Sequence, residues 1–198
     1  MKTALYGRFV QGLLFLYAAA AAADHPTIIF GTGAGGPINT ITASPLPSGS
    51  WSFGIQTEII ENEAFKNDEL ERAVEIGTQS IHSIERLTSS SFSVSYGISE
   101  DLDVSLWLPY VDRKNIKAGE IEHGHLEAHN HGDSSGFGDA TLFGHYRIYQ
   151  SNTTDVSMNF GIKLPTGEVT EKDDQGDRFE TEFQPGTGSL DLLVGASF

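Results

Sequence analysis

Four histidines, His123, His125, His129 and His131, fall within nine residues, with Glu122, Glu127 and Asp133 beside them. Imidazole and carboxylate groups are competent ligands for Zn2+, Ni2+ or Cu2+, and imidazole also changes charge close to neutral pH. The His-x-His…His-x-His spacing matches no closed structural metal site. Two readings therefore stand: a segment that captures a divalent metal, or a hydrophilic Gly/His stretch with opportunistic affinity. A second chemical set is spread wider. Glu58, Asp103, Asp139, His145, Arg147, Lys163 and Asp191 are charged or titratable residues that recur on one side of alternating segments. No Ser-His-Asp spacing, paired carboxylates in an evident cleft or phosphate loop accompanies them, so the chain does not read as an enzyme and needs no cofactor. Gly31, Gly33 and Gly36 follow an apolar Thr27-Ile-Ile-Phe30 run and spell G-x-G-x-x-G. A dinucleotide site needs a helix opening directly after that motif, and Pro37-Ile38-Asn39 carries no helical periodicity.

The elements that must position these groups are strands. Phe92, Val94, Tyr96 and Ile98 are apolar at every second position, as are Leu102, Val104, Leu106, Leu108 and Tyr110. The same frame returns as Ala140 to Ile148, Val156 to Leu164 and Leu190 to Phe198, and an earlier copy is Trp51, Phe53, Ile55 and Ile59. Successive side chains of a strand point to opposite faces, so this pattern predicts about six strands, each with one greasy face. Between them the sequence predicts an acidic, partly helix-like stretch over 61–88, a His-rich and Gly-rich loop over 112–136, and an acidic loop over 165–187. Short turns lie at 99–101 and 150–154. Residues 24–49, rich in Gly, Pro, Ser and Thr, carry no periodic element and read as an irregular, plug-like segment on the periplasmic side.

The amino terminus reads as an export signal over residues 1–23. Lys2 and Arg8 give a positive start, 10–16 an apolar run, and Ala21-Ala22-Ala23 a small-residue cleavage site. Its apolar run is shorter than the ~20 residues a spanning helix needs. The 198-residue chain has a net charge of −15; removing the signal lowers the cations from 12 to 10 against 27 acidic residues, a net of −17. So acidic a chain, without a basic patch, excludes nucleic acid as a partner. With no cysteine, neither disulfides nor a thiolate metal site is available.

Strands of about ten residues, long loops alternating with short turns, and an export signal together predict an antiparallel, up-and-down transmembrane β-barrel over 50–198. No apolar-frame position is charged, whereas the opposite frame holds the seven charged or titratable residues named above. A charge facing lipid at the bilayer midplane costs about 2–4 kcal/mol, and one facing a wet lumen is tolerated. Glu58, Asp103, Asp139, His145, Arg147, Lys163 and Asp191 are thus expected to line the lumen, either as a selective constriction or as ion pairs filling it. A secreted two-sheet β-sandwich would also alternate, and is the soluble alternative. Closed single-chain barrels begin at about eight strands, so about six implies two further strands within the loops, several chains sharing one wall, or, the favoured reading, a fragment of a larger barrel.

One ordered set of short motifs runs through the mature chain. It comprises Gly36-Pro37-Ile38-Asn39-Thr40-Ile41, Leu46-Pro47-Ser48-Gly49, Tyr96-Gly97-Ile98, Leu108-Pro109-Tyr110-Val111, Gly136-Phe137-Gly138-Asp139, Lys163-Leu164-Pro165-Thr166-Gly167 and Gln184-Pro185-Gly186-Thr187-Gly188-Ser189. In this the chain resembles the outer-membrane proteins assigned to the MetA pathway of phenol degradation, a family labelled simply "transporter". The resemblance implies a barrel and passage of aromatic or other apolar molecules, and supplies no catalytic residues. Members of that family run longer, which fits a partial wall. The expected function is passive passage of small molecules across the outer membrane, with lipid and solute as partners. The alternative is a non-transporting surface protein that binds divalent metal through its His-rich loop.

Overall fold

The computed structural model describes residues 41–63, 65–75, 80–122 and 125–198. The signal segment, the Gly31/Gly33/Gly36 motif and His123 lie outside them. Seven strands form: β1 (Trp51–Glu61), β2 (Ser80–Ser99), β3 (Leu102–Glu122), β4 (His125–Phe137), β5 (Thr141–Gln150), β6 (Asp155–Lys163) and β7 (Asp191–Ser197). Helix α1 (Asn67–Glu75) and a single 3-10 turn (Thr181–Phe183) are the remaining regular elements among the described residues. Among the described residues no helix is long and apolar enough to cross a membrane.

All seven strands belong to one antiparallel sheet, ordered β1-β2-β3-β5-β6-β7 with β4 also on β3. The 21-residue β3 holds two partners end to end: its residues 102–107 pair with β5 and 110–122 with β4. Strands β4 and β5 therefore share one position in the sheet, interrupted at 138–140, where Gly138 still donates to the Pro109 carbonyl at 2.8–2.9 Å spacing typical of the ladder, here 2.9 Å. The result is an all-β up-and-down meander. Among the described residues β1 and β7 do not pair with each other, so the sheet is open and not closed into a barrel.

Parity decides which side each residue takes. One cross-strand row runs Trp51, Tyr96, Val104, Gly144, Phe160, Val194, and the next Phe53, Val94, Leu106, Leu142, Ile162, Leu192. This apolar face stays exposed: Leu106 is 37% accessible, Phe160 49%, Leu192 76% and Val194 83%. The opposite, polar face is the covered one, with Asp103, Ser105, Thr141, His145, Ser157 and Asn159 buried. A water-soluble sheet protein places its faces the other way round. The two-sheet sandwich is not what forms, since Leu106, Phe160 and Leu192 meet no second sheet among the described residues.

The acidic stretch over 61–88, expected as partly helix-like, holds α1 and the first half of β2 over its described part, whereas the His-rich stretch over 112–136, expected as a loop, is over its described part the paired outer half of β3 with β4. In α1, Leu70 and Val74 stand one turn apart and are both buried, while Asp68 and Glu69 occupy the first turn, where the helix dipole favours negative charge. The helix packs on one face of the outer ladder, with Leu70 against Gly119, and on the other face Phe179 and Phe183 of the acidic loop pack on Ile116 and Ile84. Both faces being covered, neither needs a simple greasy stripe. A frame slip also occurs at Asn115, which adopts a left-handed φ of 53° that Asn tolerates better than most residues. Below it Trp107, Val111 and Arg113 are buried at odd positions; beyond it Ile116 and Ala118 are buried at even ones.

Gly144 sits directly across from Phe160, and a Cβ there would run into the Phe160 ring. Gly144→Val should cost about 1–3 kcal/mol, the usual range for overpacking. Gly144→Val combined with Phe160→Ala should recover most of it, which denaturant unfolding of the two variants would measure.

Candidate functional site

The candidate site is the polar face of the sheet together with two segments that cross it. Residues expected on that face are joined there, Asp103 with His145, Asp139 and Asp191 with Lys163, and Arg147 with Asp101. Asp103 and His145 face each other on β3 and β5, both at most 1% accessible, with the carboxylate 3.3 Å from Nδ1. His145 is in turn opposite Asn159 on β6, so that one polar row crosses the wall. Lys163 and Asp191, opposite each other on β6 and β7, form an ion pair, and Asp139 lies 3.8 Å from the same ammonium group. Arg147 sits at the far end, holding Asp101 through two bonds of 3.0 and 2.8 Å and the Glu100 carbonyl at 2.7 Å. Glu58 takes the same side on β1, opposite the buried Ser89.

Two of these carboxylates act as anchors for crossing backbone. The irregular segment 41–50 spans the polar face near the short-turn end of the sheet. The Leu46 N–H donates to Asp103 at 2.7 Å, the Ser157 hydroxyl donates to the Ala43 carbonyl, and the Ser197 hydroxyl donates to the Thr42 carbonyl at 3.3 Å. At its other end Gly49 donates to the Gly97 carbonyl at 2.8 Å. Gly97 must be glycine, because any Cβ would overlap the Pro47 carbonyl oxygen. The expected plug-like segment thus lies, over its described part, as a strap bonded to β2, β3, β6 and β7.

Asp139 organises the opposite end. At the interruption between β4 and β5 it accepts the Gly167 N–H at 2.9 Å, the Thr187 N–H at 2.9 Å and the Thr187 hydroxyl at 2.6 Å. One buried carboxylate therefore ties both ends of the acidic loop to the wall. Arg113, 2% accessible, holds the middle of that loop by donating to the Phe183 carbonyl at 3.3 Å, and Ser134 donates to the same oxygen at 2.6 Å. Burial holds the Arg113 pKa below the ordinary guanidinium value. Beneath the loop is a cavity of about 350 Å3 with Trp107, Val111, Pro185 and Leu193 as apolar walls and Arg113, Lys163, Asp139 and Asp191 as charged ones. Its size is at the small end of the range for ligand pockets, about 300–1,000 Å3.

Of the four clustered histidines, His123 lies outside the described residues, and the structure describes the side chains of His129 and His131. His125 opens β4, and the His129 and His131 rings stand 6.4 Å apart between centroids. His131 Nδ1 lies 3.1 Å from Asp173 of the acidic loop. Burial pushes the Asp173 carboxyl up, but the bond to His131 and the backbone N–H groups of Asp177 and Gln175 outweigh it and hold the pKa low. Nearby, the Asn115 N–H and then the Lys114 ammonium hold Asp133 below its usual range. Sequence reasoning missed Arg113, Thr187 and the strap contacts, whose partners are 48 to 155 residues away along the chain. No local pattern marks such pairs.

Replacing Asp139 with Ala leaves three donors without their acceptor, at about 1–3 kcal/mol for a buried unsatisfied group. Proteolysis should then cut within 165–188 faster, with the circular dichroism of the sheet unchanged. The Asp173 carboxyl lies below its ordinary 3.8, so its contribution is full above that value and disappears as pH falls through the lowered one. Asp173→Asn should accordingly weaken loop protection at pH 7, with an effect that shrinks as pH is lowered below 3.8, measured by hydrogen exchange. No family model matches the chain, and no curated protein or solved structure matches it.

Proposed function

We propose that this chain forms part of the wall of an outer-membrane β-barrel that lets small apolar or aromatic molecules cross passively. One observation carries the reading: an uninterrupted apolar face, row after row across six strand positions, is exposed while the charged face is covered. The outward frame of β3 from Leu102 to Tyr110 covers about 26 Å at about 3.3 Å per residue. An outer-membrane apolar band is about 25 Å tall. Rings cluster at its two ends, Trp51 against Tyr96 at 4.7 Å and Tyr110 against Phe137 at 5.3 Å, as aromatic girdles do. A spanning sheet must close to satisfy its backbone, so further strands are required to join β1 to β7.

The cavity under the acidic loop supports a small, largely apolar solute, with Trp107 as one wall. The ion pairs beside it hold the wall together. Export by the amino-terminal signal and the family resemblance belong to the same reading.

Val194→Arg separates a lipid-facing belt from a wet one. In lipid it should cost about 2–4 kcal/mol, whereas an exposed position in water changes by about 0.5 kcal/mol or less. Expressed with its own amino terminus, the protein should sediment with outer membranes and need detergent for release. Liposomes containing it should take up 4-hydroxybenzoate, whose charge bars it from lipid, faster than protein-free liposomes. Recovery in the soluble periplasmic fraction sinks the wall; recovery in membranes without added flux sinks the passage.

A further inference from the structure

His82, Glu180 and Glu182 offer three ligand atoms that all lie within 4.8 Å of one another. They come from two elements nearly a hundred residues apart, β2 and the 3-10 turn of the acidic loop. His82 Nδ1 is 2.5 Å from a Glu182 oxygen, and Nε2 is 3.8 Å from a Glu180 oxygen. The ring is held edge-on to Phe183 at 5.0 Å, which limits its rotation. Glu180 stands at the N-cap of the turn, yet its side chain makes no capping bond. Among the described residues, neither Glu carboxylate meets a Lys or Arg within salt-bridge distance.

Two carboxylates brought together beside one imidazole, in a chain of net charge −15, repel each other unless a cation joins them. One nitrogen and two carboxylate oxygens suit Zn2+, which takes His and Glu ligands at about 2.0–2.2 Å and completes its tetrahedron with water. Ca2+ prefers oxygen ligands alone, and more of them. We propose that His82, Glu180 and Glu182 form a Zn2+ site that clasps the acidic loop to β2. Both glutamates are about half exposed, 59% and 47%, so their side chains can close on the ion without moving the backbone. The site is separate from the clustered histidines and does not depend on the barrel reading.

The experiment is calorimetric titration of the full chain in detergent with Zn2+ alone, in a background where His123, His125, His129 and His131 are all Ala. One equivalent of Zn2+ is expected to bind there. Adding His82→Ala should abolish that binding, and adding the conservative, exposed Glu182→Gln should weaken it at least tenfold. In the same background Zn2+ should also slow proteolysis of the loop around residues 180–183, and His82→Ala should remove that protection. Absence of binding in the background overturns the site, as does binding that survives His82→Ala. So does Ca2+ that binds as tightly as Zn2+, since that would mark a diffuse acidic surface.

Discussion

Backbone pairing is the constraint on which everything else in this molecule depends. Once two strands are hydrogen-bonded in register, each side chain's face is fixed by whether its position is odd or even. The rows from Trp51 to Val194 and from Asp103 to Asn159 are neighbouring rows of one ladder, displaced by a single residue along each strand. A slip of one position would carry Asp103, His145 and Lys163 onto the apolar side and turn Leu106 and Leu142 inward. Such a slip would also break the bonds that only the correct face can make, Asp103 to the strap and Asp139 to the loop.

These anchors give the buried charges a purpose that differs from bare pore lining. A carboxylate that accepts several backbone N–H bonds is satisfied where an isolated buried charge would be costly. Asp139 receives two such bonds and a third from the Thr187 hydroxyl, and Asp103 receives one from Leu46 besides facing His145. The polar face is thus occupied at one end by the strap and at the other by the acidic loop. A cavity of about 350 Å3 remains open between wall and loop.

How much of this was legible in the sequence depends on whether the face of a strand meets one environment or two. Between Leu102 and Tyr110, or Thr141 and Ile148, one side is uniformly apolar, and simple alternation located the strands to within a residue or two. Around Ile81, Ile84, Ile116 and Gly119 both sides are covered, by α1 on one and by Phe179 and Phe183 on the other. There Ser, His, Lys and Asp alternate with one another, and extended backbone looked like loop. The positive φ at Asn115 hid the pattern further by reversing its phase. The polar-face residues could be found because parity is local. The strap and the clasp of His82 could not, because their partners lie far away in the chain and share no motif.

The strand position shared by β4 and β5 is broken at 138–140, whereas β3 beside it runs through without interruption. Beyond Tyr110, β3 continues for twelve residues to Glu122, a projection of about 40 Å at about 3.3 Å per residue. With the apolar band seated in a bilayer, as proposed above, this ladder would stand well out from the lipid, stiffened on one flank by a helix. Its far end would then be the part of the molecule that anything arriving from outside touches first. It is also where a foreign peptide could be displayed without disturbing the wall.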